Sequence, residues 1–301
     1  MMINNHHRQG VALISVMIVI ALISVSVGLM WQRFGTDLKQ TQYILSQNQV
    51  LNHLYSMETW AKSILIKDDT TVDSLDEPWA TQIPPIQIPG GSLHGRIIDL
   101  QSKLNINNLI DLKTDIYSPQ YRAFFYDCLN RLNTQLNQQN MADTIFSYVV
   151  SQSPKPKLFE HASTIKNIKV ITVEDYITIK PHLIALPELT AININTANND
   201  ILSCIHPQLS HSLVDQIIKQ RKDQPFTTMD QFWPYAQTLL PHLTLAQIKD
   251  NFPVEFTNTF SYYFLLETEI IIDDNKLLGQ TILQRKDGKI SIMNRSYHQA
   301  P

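Results

Sequence analysis

Residues 11–31, VALISVMIVIALISVSVGLMW, form an uncharged and largely apolar run behind a polar leader, MMINNHHRQG. At ~1.5 Å rise per residue, a helix of that length crosses the ~30 Å hydrocarbon core of a bilayer. No other stretch of the chain is long and apolar enough to do so. Arg8 and the free amino group put the leader on the cytoplasmic side, and the charges beyond the run, Arg33 and Asp37, cancel. The body of the protein is therefore expected outside the cytoplasm.

A secretory signal has a shorter apolar core followed by small residues for cleavage. Here the polar-to-apolar step is abrupt and falls directly after Gly10. The expected cut lies there, with Val11 as the new N-terminus and the helix retained. An uncleaved single-pass anchor and an ordinary signal peptide are the competing readings.

Beyond Trp31 the apolar pattern thins to one face: Phe34, Leu38, Thr41, Leu45, Leu51, Leu54, Met57 or Glu58, Ala61 and Leu65 recur at helical spacing. Unbroken from about 12 to 65, such a helix would measure roughly 80 Å. The stripe on its outer half needs a cover, which predicts a globular domain packed on it from about residue 35 onwards.

Acids, prolines and a glycine pair then break the helix in DDTTVDSLDEPWATQIPPIQIPGG. Asp73, Asp76 and Glu77 could offer hard oxygen ligands to calcium, but no twelve-position EF-hand loop surrounds them. A solvated acidic loop is the competing reading. A short strand around Gly95 to Leu100 leads into an Asn-rich turn that reads as structural, since Asn side chains bond nearby backbone. Helical signals run from Ser118 to about Asp250. Ser118 and Pro119 form a cap and first-turn pair ahead of Phe124, Phe125, Cys128, Leu129 and Leu132. A second helix covers Met141 to Val149, SQSPKPKLF is a loop, and VEDYITIK is ambiguous between strand and helix.

From Asn193 to Phe232 the pattern resembles a helix-hairpin-helix module. Asn195 or Thr196 caps a helix with Ile201, Leu202 and Ile205; Ser210 starts another; Thr227 or Thr228 opens a third. DNA-binding versions present glycine-hairpin amides to phosphate. The turn here, HPQLSH, has no glycine, which favours helix packing or protein docking. After Pro253 the period changes: Phe256 to Ile272, LLGQTILQR and KISIMN, separated by DDNK and KDG, form an antiparallel meander. Three strands alone cannot bury a face, and the long helix needs covering. Packing them together makes the intervening helical region an insertion within an α+β domain.

The formal net charge of −3 leaves no basic footprint for nucleic acid. Cys128 and Cys204 could pair in an oxidising compartment, or remain as two buried thiols. His182, His206, His211 and His242 with Cys204 match no compact zinc motif. No nucleophile elbow, P-loop or dinucleotide fingerprint occurs.

The leader ending in RQG, the cut before a hydrophobic residue and the apolar helix resemble the class III signal of type IV pilins and pseudopilins. More closely, the chain resembles the minor pseudopilins of type II secretion termed general secretion pathway protein K. The likeness rests on RQG followed by VALISVMIVIALI, DSLDEPWA with Asp73, Asp76, Trp79 and Ala80, DLQSKLNINNL, INTA at Ile194 to Ala197, and IIKQR before Pro225 and Phe226. It implies a pilin-like α+β fold with a long N-terminal helix packed on an antiparallel sheet and a large all-helical insertion. The parts are a leader at 1–10, an assembly helix at 11–31, the pilin-like domain at 32–110 and 251–301, and the insertion at 111–250. It further implies a non-enzymatic tip subunit of the pseudopilus, cleaved after Gly10 by prepilin peptidase and N-methylated at Val11. Its helix, with Val11, Leu13, Ile14 and Ser15, would pack against other minor pseudopilins and the major pseudopilin. The protein would be anchored in the inner membrane of a Gram-negative bacterium, with its globular part in the periplasm. At the fifth position after the cut the superfamily usually has Glu. This chain has Ser15, which avoids placing a carboxylate in hydrocarbon and gives up the contact that Glu makes. A minor pilin of a type IV pilus is the nearest alternative, and a membrane-anchored DNA-uptake factor a more distant one.

Overall fold

The computed structural model describes residues 6–111, 116–117, 119–132, 141–151, 158–272 and 275–299. Two units are distinct, residues 1–55 and residues 56–301. The first is helical, part of the 62-residue α1 (His6–Lys67). Its window of mean hydropathy 2.7 is long and apolar enough to cross a membrane. At the end of α1, within the second unit, Met57, Ala61 and Leu65 of the stripe are buried.

In the second unit a five-stranded antiparallel sheet has the order β1 (Ile86–Ile88), β2 (Gly91–Asp99), β9 (Tyr263–Ile272), β10 (Asn275–Lys286), β11 (Lys289–Gln299). The C-terminal meander forms as read, but its first strand starts at Tyr263 instead of Phe256. Residues just before it are recruited elsewhere: β8 (Thr257–Asn258) runs parallel to β7 (Ile192–Asn193). Asp287 and Gly288, both at positive φ, make the two-residue turn between β10 and β11. Asp273 and Asp274 of the other turn, Ser118 and most of SQSPKPKLF lie outside the described residues.

One face of the sheet meets the end of α1. A Cβ on Gly95 would lie 2.0 Å from Met57 Cε, so a side chain there would have to push the methionine's terminal methyl aside. Glu58, buried on the apolar stripe, accepts hydrogen bonds from Thr281 Oγ1 at 2.9 Å and from Arg295 Nε and Nη2 at 2.7 and 2.9 Å. On the opposite face, Leu100 and Leu186 pack with Tyr263, flanked by Ile184, Leu265 and Ile282. That small cluster seats the helical region on the sheet.

The helical region has its own larger core, from Leu104 to Phe252. It comprises α2 (Pro119–Leu132), α3 (Met141–Ser151), α4 (Val173–Ile179), α5 (Asn199–Ile205), α6 (His211–Asp223), α7 (Met229–Leu239) and α8 (Leu245–Asn251), with the short strands β3 (Leu104–Asn105), β4 (Ile110–Asp111), β5 (Ile116–Tyr117) and β6 (Leu183–Ile184). Thr172 and Asp175 close a capping box, which settles the ambiguous VEDYITIK as helix α4. The cap of α5 is Asn198, whose side chain accepts from Ile201 N, and not Asn195 or Thr196. Those two residues are buried and bonded elsewhere. Ser210 and Thr228 precede α6 and α7 as expected.

Candidate functional site

Two places carry the features that the sequence singles out: the apolar helix, and a buried polar junction where the helical region joins the sheet. On the helix, Gly10 and Val11 lie within the helical backbone of α1. Leu13 and Ile14 are 64% and 60% exposed, and large apolar side chains from there to Trp31 are all more than half exposed. So much apolar surface is compatible with water only if lipid or another helix covers it.

The junction is built around Asp99, at the end of β2. One of its oxygens, Oδ1, accepts from Gln101 N at 2.8 Å, capping a short 3₁₀ turn. The other, Oδ2, accepts from Thr196 Oγ1 at 2.5 Å, Ser261 Oγ at 2.7 Å and Asn193 Nδ2 at 3.1 Å. Burial raises the Asp99 pKa while these donors pull it down. Asn193 also donates to the carbonyl of Asp73, and Asp73 Oδ2 accepts from Ser261 N at 2.7 Å. Four segments far apart in sequence are thereby joined by one set of bonds. Asn105, Asn107 and Asn108 form a second such set: Asn107 Nδ2 donates to the carbonyls of Phe159 and Leu186, and Asn108 Nδ2 to that of Thr190. The Asn-rich turn is structural, as read, but its partners are distant loops more than neighbouring backbone.

The DSLDEPWA stretch supplies the other half of the junction. The Arg285 guanidinium donates to Asp68 Oδ2 at 3.1 Å and to Asp73 Oδ2, and lies over the Phe264 ring. Trp79 packs edge-on against the same ring, and its indole Nε1 donates to Glu77 Oε2 at 2.6 Å. Asp73 is fully buried, and burial pushes its pKa up to about 8 against the pull of Arg285. Burial also raises Asp68 and Glu77. Of the three residues read as calcium ligands, Asp73 and Glu77 come together with Asp68, their ligand oxygens within 4.8 Å of one another. Asp76 is exposed and outside this group. Asp68, the residue directly after α1, takes its place. Arg285, which sequence alone did not single out, faces two of the three carboxylates.

Cys128 on α2 and Cys204 on α5 are both buried and paired, with Cα atoms 4.4 Å apart. Arg131 caps the region by donating to the Cys204 carbonyl. Among the described residues, none of the four histidines joins a three-ligand group close enough to hold a metal. His206 is buried beside Phe252, and burial, with Arg131 and His242, lowers its pKa to about 4. His182 Nε2 sits 3.9 Å from Asp200, and burial lowers its pKa too.

Comparison with known proteins gives a consistent picture. The family model for protein K of the type II secretion system matches residues 192–252, the stretch from β7 through α8. The type II secretion system protein K of Pseudomonas aeruginosa is 25% identical over 97% of this chain and 93% of its own length. That of Aeromonas hydrophila is 31% identical over 36% of this chain and 34% of its own length. In fold, the chain is similar to a chain in the crystal structure of the GspK–GspI–GspJ complex of the enterotoxigenic Escherichia coli type 2 secretion system. The TM-score is 0.70 at 20% identity, covering 87% of this chain and 99% of that one.

Proposed function

We propose that the chain, similar along nearly its whole length to a type II secretion system protein K, is a member of that family and a minor pseudopilin at the tip of the pseudopilus. There it initiates or caps assembly and supports protein export across the outer membrane. The observation that carries this reading is the exposed apolar face of α1 from Leu13 to Trp31, with Ser15 at the position where shaft subunits usually carry Glu. Such a helix lies in lipid before assembly and against neighbouring helices after it. A subunit with no acid at that position has given up the contact to a subunit above.

The same reading makes Gly10–Val11 the prepilin peptidase cut, with Val11 N-methylated, and puts the globular part in the periplasm beyond an inner-membrane anchor. The partners are other minor pseudopilins, which suits the likeness to a complex of GspK with GspI and GspJ, and the major pseudopilin. The role is structural and not enzymatic. At the junction we assign the pairing of Asp68 and Asp73 to Arg285. The helical region, seated on the sheet, supplies the bulk that keeps another head from stacking above.

Replacing Gly10 by valine tests the proposal. The expected result is full-length, unprocessed protein in the membrane and loss of exoprotein secretion; normal processing with normal secretion sinks it. Deleting the helical region while retaining the sheet should give longer or uncapped assemblies in electron micrographs.

A further inference from the structure

A cleft of about 250 Å³ opens where the helical region meets the outer face of the sheet. Its floor is apolar, made by Leu100 and Leu183 from one side and by Leu265 of β9 and Ile282 of β10 from the other. Its rim is basic. Lys103 and Lys180 line it, and Lys166 stands 4.5 Å over the ring of Tyr176, which lines it as well. Desolvation and the neighbouring charge of Lys180 both lower the pKa of Lys103.

Among the described residues, no ion pair involves Lys103, Lys166 or Lys180. The carboxylate that Lys103 senses is that of Glu267, which is bonded to Arg96 and Gln280. Two lysines beside an apolar floor run against the net charge of −3 of the whole chain. A partly desolvated ammonium is costly, and a carboxylate brought to it would be held more strongly than in water. The cleft is smaller than the ~300–1,000 Å³ of small-molecule sites, so it suits one or two side chains and not a cofactor.

We propose that this cleft receives an acidic segment of a protein partner, with one Asp or Glu carboxylate between Lys103 and Lys180 and an adjacent apolar side chain on Leu265 and Ile282. It is an interaction surface separate from the N-terminal helix and does not depend on the tip reading. Charge complementarity selects the carboxylate, and the apolar floor selects its neighbour.

The test places p-benzoylphenylalanine at Ser296, on the rim, in the full chain produced in cells with its secretion system, followed by irradiation and mass spectrometry of the cross-linked peptide. The expected peptide carries Asp or Glu next to an apolar residue. Its yield should fall about tenfold in K180E, a surface change that spares folding, and in K103M, consistent with loss of one close charge pair. Changing the partner's acid to Lys should restore the yield in K180E. Cross-links to lipid only, to a segment without a carboxylate, or none above the dark control overturn the proposal. So does a yield unchanged in K180E and K103M, or a loss that the partner's charge swap fails to restore.

Discussion

Asp99 is the most exacting point at which to test how the helical region is held to the sheet. Replacing it by alanine removes four acceptor contacts, but not all four donors are stranded. Thr196 Oγ1 keeps the Asn193 carbonyl at 3.4 Å, and Asn193 Nδ2 keeps the Asp73 carbonyl and Ser261 Oγ, both at 3.1 Å. Gln101 N and the Ser261 hydroxyl lose their acceptor outright. At ~1–3 kcal/mol for each stranded buried donor, the gross loss is ~2–6 kcal/mol. Relief from holding a buried carboxylate returns part of this, so the expected net cost is about 3 kcal/mol. Asp99→Asn keeps an oxygen for Gln101 N, and the hydroxyls of Thr196 and Ser261 can turn to accept from the new amide. Only Asn193 Nδ2 then meets a second donor, and the cost falls to about 1–2 kcal/mol. Urea unfolding of the full chain in detergent, followed by the fluorescence of buried Trp79, gives both values. Hydrogen exchange at 193–196 and 259–261 should accelerate before that in the centre of β9. An alanine variant costing under about 1 kcal/mol, or an asparagine variant costing more than the alanine one, refutes the argument.

Cys128 and Cys204 are separated by 76 residues, so their pairing should contribute about 4 kcal/mol through chain entropy. Denatured but unreduced protein should take up no thiol label, and the double alanine variant should match reduced wild type in its urea midpoint. His206 predicts a pH effect. Its pKa is about 4 in the folded chain and ~6.5 in an unfolded one. The unfolded state therefore takes up a proton that the native state refuses, and stability falls as pH drops from about 6.5 to 4, by up to ~3 kcal/mol. In a His206→Gln variant the urea midpoint should change less between pH 7 and pH 4.5 than in wild type; an equal change would remove His206 as the cause.

Much of the fold could be read from period alone. The meander, the helices at Met141 and Ser210 and the Asp-Gly turn follow from local spacing and turn chemistry, and each forms. Where the reading slipped, a distant partner outbid a local preference. Asn195 and Thr196 look like caps, but Asn195 bonds the Phe226 carbonyl and Thr196 bonds Asp99, leaving Asn198 to cap α5. Phe256 to Tyr262 has strand composition, but β8 pairs with β7 and takes those residues out of the sheet. Asp76 looks as good a ligand as Asp73, yet it is exposed, while Asp68 joins the carboxylate group. Glu58 and Arg285 carried one clue each, a charge inside an apolar stripe and inside a strand.

By itself, the sequence determined what depends on order along the chain. An uncharged run behind Gly10 must avoid water, and Ser15 sets what that helix can offer a neighbour. Alternation and turn residues likewise specify a hairpin, because backbone geometry links each residue to the next few. Only the tertiary structure decided which polar groups share a buried site. Asp99, Asn193 and Ser261, or Asp68, Asp73 and Arg285, meet through chain paths that no local pattern encodes. Their pairing follows from the cost of leaving buried polar groups unbonded once the sheet and the helical region close on each other.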